Sequence, residues 1–366
     1  MRKVLTSKKE RQSNIELLRI FTMLGVVILH YNNPSIGKAM TFAESGSLHF
    51  WVIYFFESLF ICAVDLFILI SGYFMCNSMK RDAIKPFKMI VQVMLYSCGI
   101  YFVRVIVRST NFSISSLFRC LVPNNYFVIL YVALYFVSLY INIIIEKLNQ
   151  QQFKLMLIVL MMLFSIWNGL ADFSAEIIGH EWIGLSTVGM YGSQYGYSIV
   201  NFCLMYILGA YIRKYDRTYS RKKIIGCIFM CCSILMLWSM LNDKIGYYTE
   251  KSAWEYCNPL VIGEACAVFY LFKSLDLKSN KIINKLASGA FSVFLLQNVF
   301  LTRMDIEKYV TQNIFIFLLH AILSCCVIYL ICCCIHFVYS AVTEKIYMVL
   351  FKNRKIPTID LSDNHK

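Results

Sequence analysis

Charge is scarce in this chain. Asp, Glu, Lys and Arg make up 15% of its 366 residues, against roughly a quarter in soluble domains, which excludes the solvated surface of an ordinary cytosolic enzyme. A disordered chain is excluded by the opposite property. Hydrophobic residues reach 59%, with 28 Phe and 24 Tyr, whereas segments that stay unfolded are poor in such residues. Proline is nearly missing, with five in all, and no internal symmetry is evident; both facts speak against the paired, interrupted helices common in secondary transporters. No two cysteines have the C-x-x-C spacing of a zinc knuckle, so no metal is expected.

What the chain has instead is long apolar runs. Lipid cannot satisfy a bare backbone, so a span needs about 20 apolar residues wound into a helix. Ten such runs lie at about 15–33, 51–75, 89–107, 125–145, 154–170, 196–212, 224–241, 257–273, 286–302 and 313–338. The class predicted is an all-α polytopic membrane protein with about ten transmembrane helices. Residues 1–345 read as a single transmembrane domain and 346–366 as a cytoplasmic polar tail, loose from Lys352 onward.

Basic residues test that topology, because Lys and Arg collect on the cytoplasmic side. If the chain starts inside, 26 of its 35 basic residues fall on inner segments and 8 on outer ones. Both termini are therefore expected in the cytoplasm. The net charge of +14 then reflects topology and attraction to anionic headgroups, and nucleic acid is not an expected partner. The fifteen cysteines lie mostly inside the spans, where a thiol packs as a small hydrophobe. The basic N-terminal stretch runs straight into a full-length span, so the first helix is expected to stay in the mature protein.

Ionisable groups in hydrocarbon cost roughly 2.5–3.5 kcal/mol each and are functional candidates for that reason. The first span, SNIELLRIFTMLGVVILHY, holds Glu16, Arg19 and His30. The eleven residues from Arg19 to His30 rise about 16 Å and turn close to three full circles, so both side chains share one face. Such a face can line a passage, with Arg19 attracting a phosphate and His30 acting as a general base near neutral pH. Alternatively, Arg19 snorkels to the inner headgroups while His30 sits at the outer ones. The second span carries Glu57 and Asp65. Glu57 lies about 9 Å below the outer end, a depth at which it can accept the second ring proton of His30, as the acidic member of a catalytic triad does; a solvated residue at the rim is the alternative. Asp65 is near mid-membrane, where a hydrogen bond between helices is the simplest role.

An Arg, ten residues and a His on the first helix, followed by VDLFILISGYFMCNSMK on the second, resembles the integral-membrane acyltransferase family 3, which includes O-acetyltransferases of bacterial surface polysaccharides. The resemblance continues through QVMLYSCGIYFV, PNNYFVILYVALYFVSLYIN, YSIVNFCLMYILGAYIRKY and NKLASGAFSVFLLQNVFLTR, over nearly the whole chain and in the expected order. It implies a multi-pass protein of the bacterial cytoplasmic membrane that moves an acyl group, most often acetyl, from cytoplasmic acetyl-CoA to a hydroxyl of a cell-surface or lipid-linked polysaccharide.

Carried over residue by residue, His30 matches the family's essential histidine, Arg19 its paired arginine, and Ser71 to Phe74 its SGYF signature. Catalysis is thereby expected of His30, with Glu57, from its depth in the membrane, as the acidic partner. The CoA moiety is expected at Arg19, Ser71, Tyr73, Lys80 and Arg81, although the basic cluster after SGYF also fits plain positive-inside topology. Asp65, Tyr126, Gln297, Asn298 and Arg303 are the expected substrate contacts. Two positions depart from the family. Phe127 replaces a tryptophan, and Gln297 stands where a late histidine is usual. Gln cannot act as a base, so that position reads as one that hydrogen-bonds the acceptor. Aromatic residues in VGMYGSQYGYS, 188–198, can stack on sugar rings. A glycan or lipid flippase without acyl transfer, and a silent scaffold, are the competing classes.

Overall fold

The computed structural model describes residues 11–180, 182–245, 252–351 and 357–362. Its principal helices are α1 (Ser13–Asn32), α2 (Leu48–Phe60), α3 (Ala63–Met75), α4 (Ile84–Ile106), α5 (Tyr126–Lys147), α6 (Gln150–Met161), α7 (Trp167–Ile178), α8 (Ile199–Lys214), α9 (Arg221–Ile245), α10 (Pro259–Lys273), α11 (Lys281–Ser288), α12 (Ala290–Leu301) and α13 (Ile314–Phe351). Polar residues set where they begin. Asn125 caps α5 by accepting from Val128 N at 3.1 Å, Ser198 caps α8, and Asn258 followed by Pro259 starts α10. An N-cap side chain supplies an acceptor to the orphan amides of the first turn, and proline at the first helical position has no amide to orphan.

Every apolar run of the sequence contains helix. Among the described residues, seven helices are long and apolar enough to cross a membrane, taking α2–α3 and α6–α7 each as one continuous segment. The pair α11–α12, bent by 56° at Gly289, makes an eighth if counted as one span. The other two runs correspond to α8 and α10, with 16 and 15 residues. Both are shorter than a typical span and are packed deep inside the bundle rather than facing its outside.

Two buried clusters divide the interior. One gathers α3, α5, α6, α8 and α10 around Leu69, Phe153, Tyr206 and Phe269. The other gathers α1, α2, α12 and α13 around Val27, Tyr31, Val293 and Phe317. Between α3 and α8 the backbones come into contact. A Cβ at Gly72 would collide with the carbonyl of Tyr206, and one at Gly209 with the carbonyl of Leu69. Small residues that let backbones touch are how membrane helices associate, since the lipid tails are as apolar as the side chains they displace. The glycine of SGYF is therefore a packing residue.

A short antiparallel sheet closes one end. Strand β1 (Lys80–Asp82) pairs with β2 (Thr358–Asp360), with Lys80 opposite Asp360 and Arg81 opposite Ile359. Ala83 N donates to Pro357 O and Leu361 N to Met79 O, and Lys80 Nζ lies 3.4 Å from Asp360. This corrects the expectation of a loose stretch after Lys352: the part of it that is described is paired. The boundary expected at 345 also falls inside α13, whose helix continues to Phe351.

Gly72→Val and Gly209→Val are expected to separate α3 from α8, each costing about 1–3 kcal/mol as overpacking does. Thermal unfolding in detergent or nanodiscs should show the loss, together with lower folded yield, and an unchanged midpoint would remove the packing role of these glycines.

Candidate active site

The site is built on two facing helix stripes. On α1, positions 19, 23 and 26 recur at helical spacing, and Arg19, Met23 and Val26 all line one cavity of about 400 Å3. On α12, Ala290, Phe291 and Phe294 line the same cavity. One turn further along each stripe stand His30 and the pair Gln297–Asn298, since residues three and four apart share a face. The imidazole of His30 lies near the side chains of Asn298 and Gln297, so the two stripes converge beyond the cavity.

Polar groups mark the ends. At the α1 start the cavity is lined by Arg11, Glu16 and Arg19. Arg19 is paired with Glu16 at 3.3 Å, with its side chain still 34% exposed, and its guanidinium lies over the Phe74 ring. The walls between are largely apolar, including Val64, Phe67 and Phe127, with Ser71, Tyr131 and Ser288 as the polar exceptions; the hydroxyls of Ser71 and Tyr131 are 3.3 Å apart. At the far end, Nδ1 of His30 and both amide atoms of Gln297 are buried without a hydrogen-bond partner. Leaving such a group unpaired costs about 1–3 kcal/mol, which a bound molecule with its own donors and acceptors removes.

A second cavity of about 430 Å3 opens beside the α1 start. Arg11 lines both cavities, and here it is joined by Gln12, Ser13, Asn14, Tyr73, Lys273 and Asp276. Arg213 donates to the Tyr73 hydroxyl at 3.0 Å, and Lys273 is ion-paired with Asp216. A polar chamber with cationic side chains thus adjoins an apolar corridor that points to a histidine.

The family model described as an acyltransferase domain matches residues 12–337. The chain belongs to acyltransferase family 3. No curated protein and no solved structure matches it. As a multi-pass membrane acyltransferase, it must bring an activated acyl group and an acceptor to one point, and the His30 end of the corridor has the unpaired polar atoms for that.

Several expected site residues lie elsewhere in this acyltransferase. Glu57 does not meet His30. It accepts from Asn32 Nδ2 at 3.0 Å, and Asn32 is two residues past His30, about 200° around the helix, so Glu57 occupies another face of α1. Asp65, expected also as a substrate contact, is fully buried between α3 and α8, where it accepts from Asn201 Nδ2 at 3.1 Å. It lines none of the three cavities. Arg81 is corrected as a CoA ligand because its donors are already committed: they reach the carbonyls of Met75, Ser78, Lys80 and Tyr135, the Ser138 hydroxyl and Tyr206. It caps the end of α3 and ties α5 and α8 to it. Lys80 is held by Asp360. Arg303 is exposed past the end of α12 and lines none of the three cavities described.

Arg11, Asn14 and Lys273 were not singled out by sequence, where Arg11 and Lys273 counted only toward topology. The signal available was position: Arg11 precedes α1 on the Arg19 side, and Lys273 ends α10. Phe127, a mild departure from the family, forms the cavity wall against Phe294, with ring centroids 5.3 Å apart.

A third cavity, of about 100 Å3, sits at the same end of the bundle as His30. Asp172, Glu176 and Glu255 line it with Trp182, Tyr191 and Tyr195. Ser193 bridges two of the carboxylates, its amide donating to Asp172 at 2.9 Å and its hydroxyl to Glu255 at 3.0 Å. Tyr126, expected as a substrate contact, is not among the cavity's lining residues; its ring packs edge-on against Tyr197 at 4.7 Å, which packs on Tyr256. Burial, and then the charge of Asp172 beside it, push the Glu255 carboxyl well above the ordinary carboxylate range.

Two outcomes follow from these placements. Arg81→Ala is expected to strand the carbonyls that end α3 and to lower folded yield and melting temperature, by about 1–3 kcal/mol for each carbonyl left without a donor, with donor affinity in the surviving protein unchanged. For Glu255 the raised folded-state value fixes the sign: its contribution is complete below the ordinary carboxylate pKa and is lost as pH rises through the folded-state pKa. Melting temperature of the native chain should therefore fall toward alkaline pH more steeply than that of Glu255→Gln. Parallel profiles would mean that Glu255 is ionised in the fold.

Proposed function

We propose that this acyltransferase carries an acetyl group from acetyl-CoA to a hydroxyl of a cell-surface or lipid-linked polysaccharide, in the bacterial cytoplasmic membrane, with ten spans and both termini in the cytoplasm. The observation that carries the reading is the corridor from Arg11 and Arg19, along Met23, Val26 and Phe294, to within one helical turn of His30 and Gln297. An acyl thioester on a long flexible arm with a phosphorylated head fits such a shape. The head is anionic and suits the chamber of Arg11, Tyr73 and Lys273; the arm suits the apolar walls; the thioester then reaches the imidazole.

In the direct route, His30 takes the proton of the acceptor hydroxyl as its oxygen attacks the thioester carbonyl. The carbon–sulfur bond breaks as the tetrahedral intermediate collapses, and the departing thiolate recovers the proton from the imidazolium. The amides of Gln297 and Asn298 supply hydrogen bonds to the reacting oxygens. The alternative route has His30 take the acetyl group first and pass it on. The third cavity supports a polyhydroxylated acceptor, because carboxylates accept from sugar hydroxyls and the rings of Trp182, Tyr191 and Tyr195 offer faces for a pyranose to stack on.

Purified protein in lipid nanodiscs with radiolabelled acetyl-CoA tests the assignment. The native chain should bind it saturably and hydrolyse it slowly without acceptor. His30→Ala should keep binding and folded yield but lose turnover by about 100-fold or more, the scale of a lost general base. Arg19→Ala should raise Kd about tenfold, corresponding to about 1.4 kcal/mol. Absence of binding by well-folded native protein would return the flippase reading.

A further inference from the structure

Many polar groups inside this bundle are met by partners. Gln92 Nε2 donates to Ser292 at 2.8 Å, Asn142 Nδ2 to the Met75 carbonyl at 2.9 Å, and Asn32 to Glu57 at 3.0 Å. Gln297, like Glu264 on α10 among the described residues, is a contrast. Its side chain has no exposed surface, and neither its Nε2 nor its Oε1 is paired. Nδ1 of His30, a ring near the side chains of Asn298 and Gln297, is also buried and unpaired. Each group lacks what the other can give: a neutral imidazole has one N–H to donate and one nitrogen to offer, and the amide has an oxygen and an NH2. The terminal torsion of glutamine is broad and two-fold, so a small rotation closes the contact.

We propose that Gln297 positions His30: its Oε1 accepts Nδ1–H of the neutral ring, fixing the tautomer that leaves Nε2 as the basic atom, while its own Nε2 donates to an oxygen of the bound reactants. Gln297 takes the orienting place that a carboxylate holds in a catalytic triad. It orients without adding charge, so the ring stays neutral until the acceptor proton arrives.

Among the described residues, no carboxylate acts on the His30 ring. Glu57 on α2 is engaged by Asn32 and Asp65 on α3 by Asn201. His49 on α2 packs against Phe317, and Tyr31 on α1 is turned to His320 on α13 at 2.9 Å. Arg19 is three turns away on α1, Cys325 on α13 lies beside Tyr31, Glu264 on α10 neighbours Cys62 and Cys232, and Lys281 and Lys285 belong to α11, before the bend. The polar side chains acting on the His30 ring are Asn298 and Gln297.

The kinetic consequence rests on the acyl-transfer reading; the structural one does not, and the test separates them. Nitrogen-15 NMR of histidine-labelled protein in nanodiscs, with the His30 signals assigned by their loss in His30→Ala, should show protonated Nδ1 and bare Nε2 in the native chain. Gln297→Leu should release the ring to a mixture of tautomers, and Gln297→Asn, whose amide is retracted by one methylene, should do so partly. Gln297→Glu restores an acceptor and adds a charge. It should keep the native tautomer and move the acid limb of the kcat/KM profile at least one unit to higher pH, while KM for acetyl-CoA changes less than twofold. A native His30 with Nε2 protonated, or a tautomer unmoved by Gln297→Leu in folded protein, overturns the proposal. If the native chain shows no acetyl-CoA turnover but the tautomers behave as stated, the acyl-transfer reading fails and the positioning role stands.

Discussion

Hydrocarbon offers a polar group nothing, and nearly every arrangement in this protein answers to that constraint. Arg81 is buried because the last carbonyls of α3 need donors; Asp65 sits against Asn201 because neither tolerates lipid; Asn142 and Tyr206 complete the same network. These groups have become the ties between α3, α5 and α8, and the glycines at 72 and 209 let the backbones come close enough for the ties to be made. A membrane bundle cannot draw on hydrophobic burial between its helices as a soluble core does. Polar pairing and close backbone contact take over that role.

Against such a background, an unpaired polar atom carries information. The α1–α12 seam holds His30 Nδ1 and the Gln297 amide without partners at the end of a corridor whose other end holds Arg11 and Arg19. The proposed meeting place of the reactants is this seam, whose unpaired atoms stand apart from the fully committed donors of Arg81.

How much of this was legible in the sequence depends on which residues set the answer. The helices were, because an apolar run such as YFVILYVALYFVSLY has few ways to exist in water; each predicted run contains helix, although α8 and α10 proved too short to be counted among the spans on length alone. The Arg19–His30 stripe was legible because both residues lie on one helix, where spacing fixes the face. Relations between helices were not. Glu57 has the right depth for His30 but the wrong azimuth, and only the packing of α2 against α1 decides that. The basic residues after SGYF look alike in sequence, yet Arg81 turns inward while Lys80 turns to a strand made far later in the chain. Family membership pointed to Gln297 as a departure, and its pairing state needed coordinates.

That late strand has a consequence for biogenesis. Helices enter the membrane in the order of synthesis, so α3 and the Lys80–Asp82 segment are in place while most of the chain is still unmade. Their antiparallel partner, Thr358–Asp360, emerges after α13. The sheet is thus among the longest-range contacts in the molecule, and loop closure of that span disfavours its forming early. Until it forms, β1 offers an open strand edge to whatever chaperone or protease patrols the membrane face, and its pairing marks a polypeptide whose insertion has run through to the last helix.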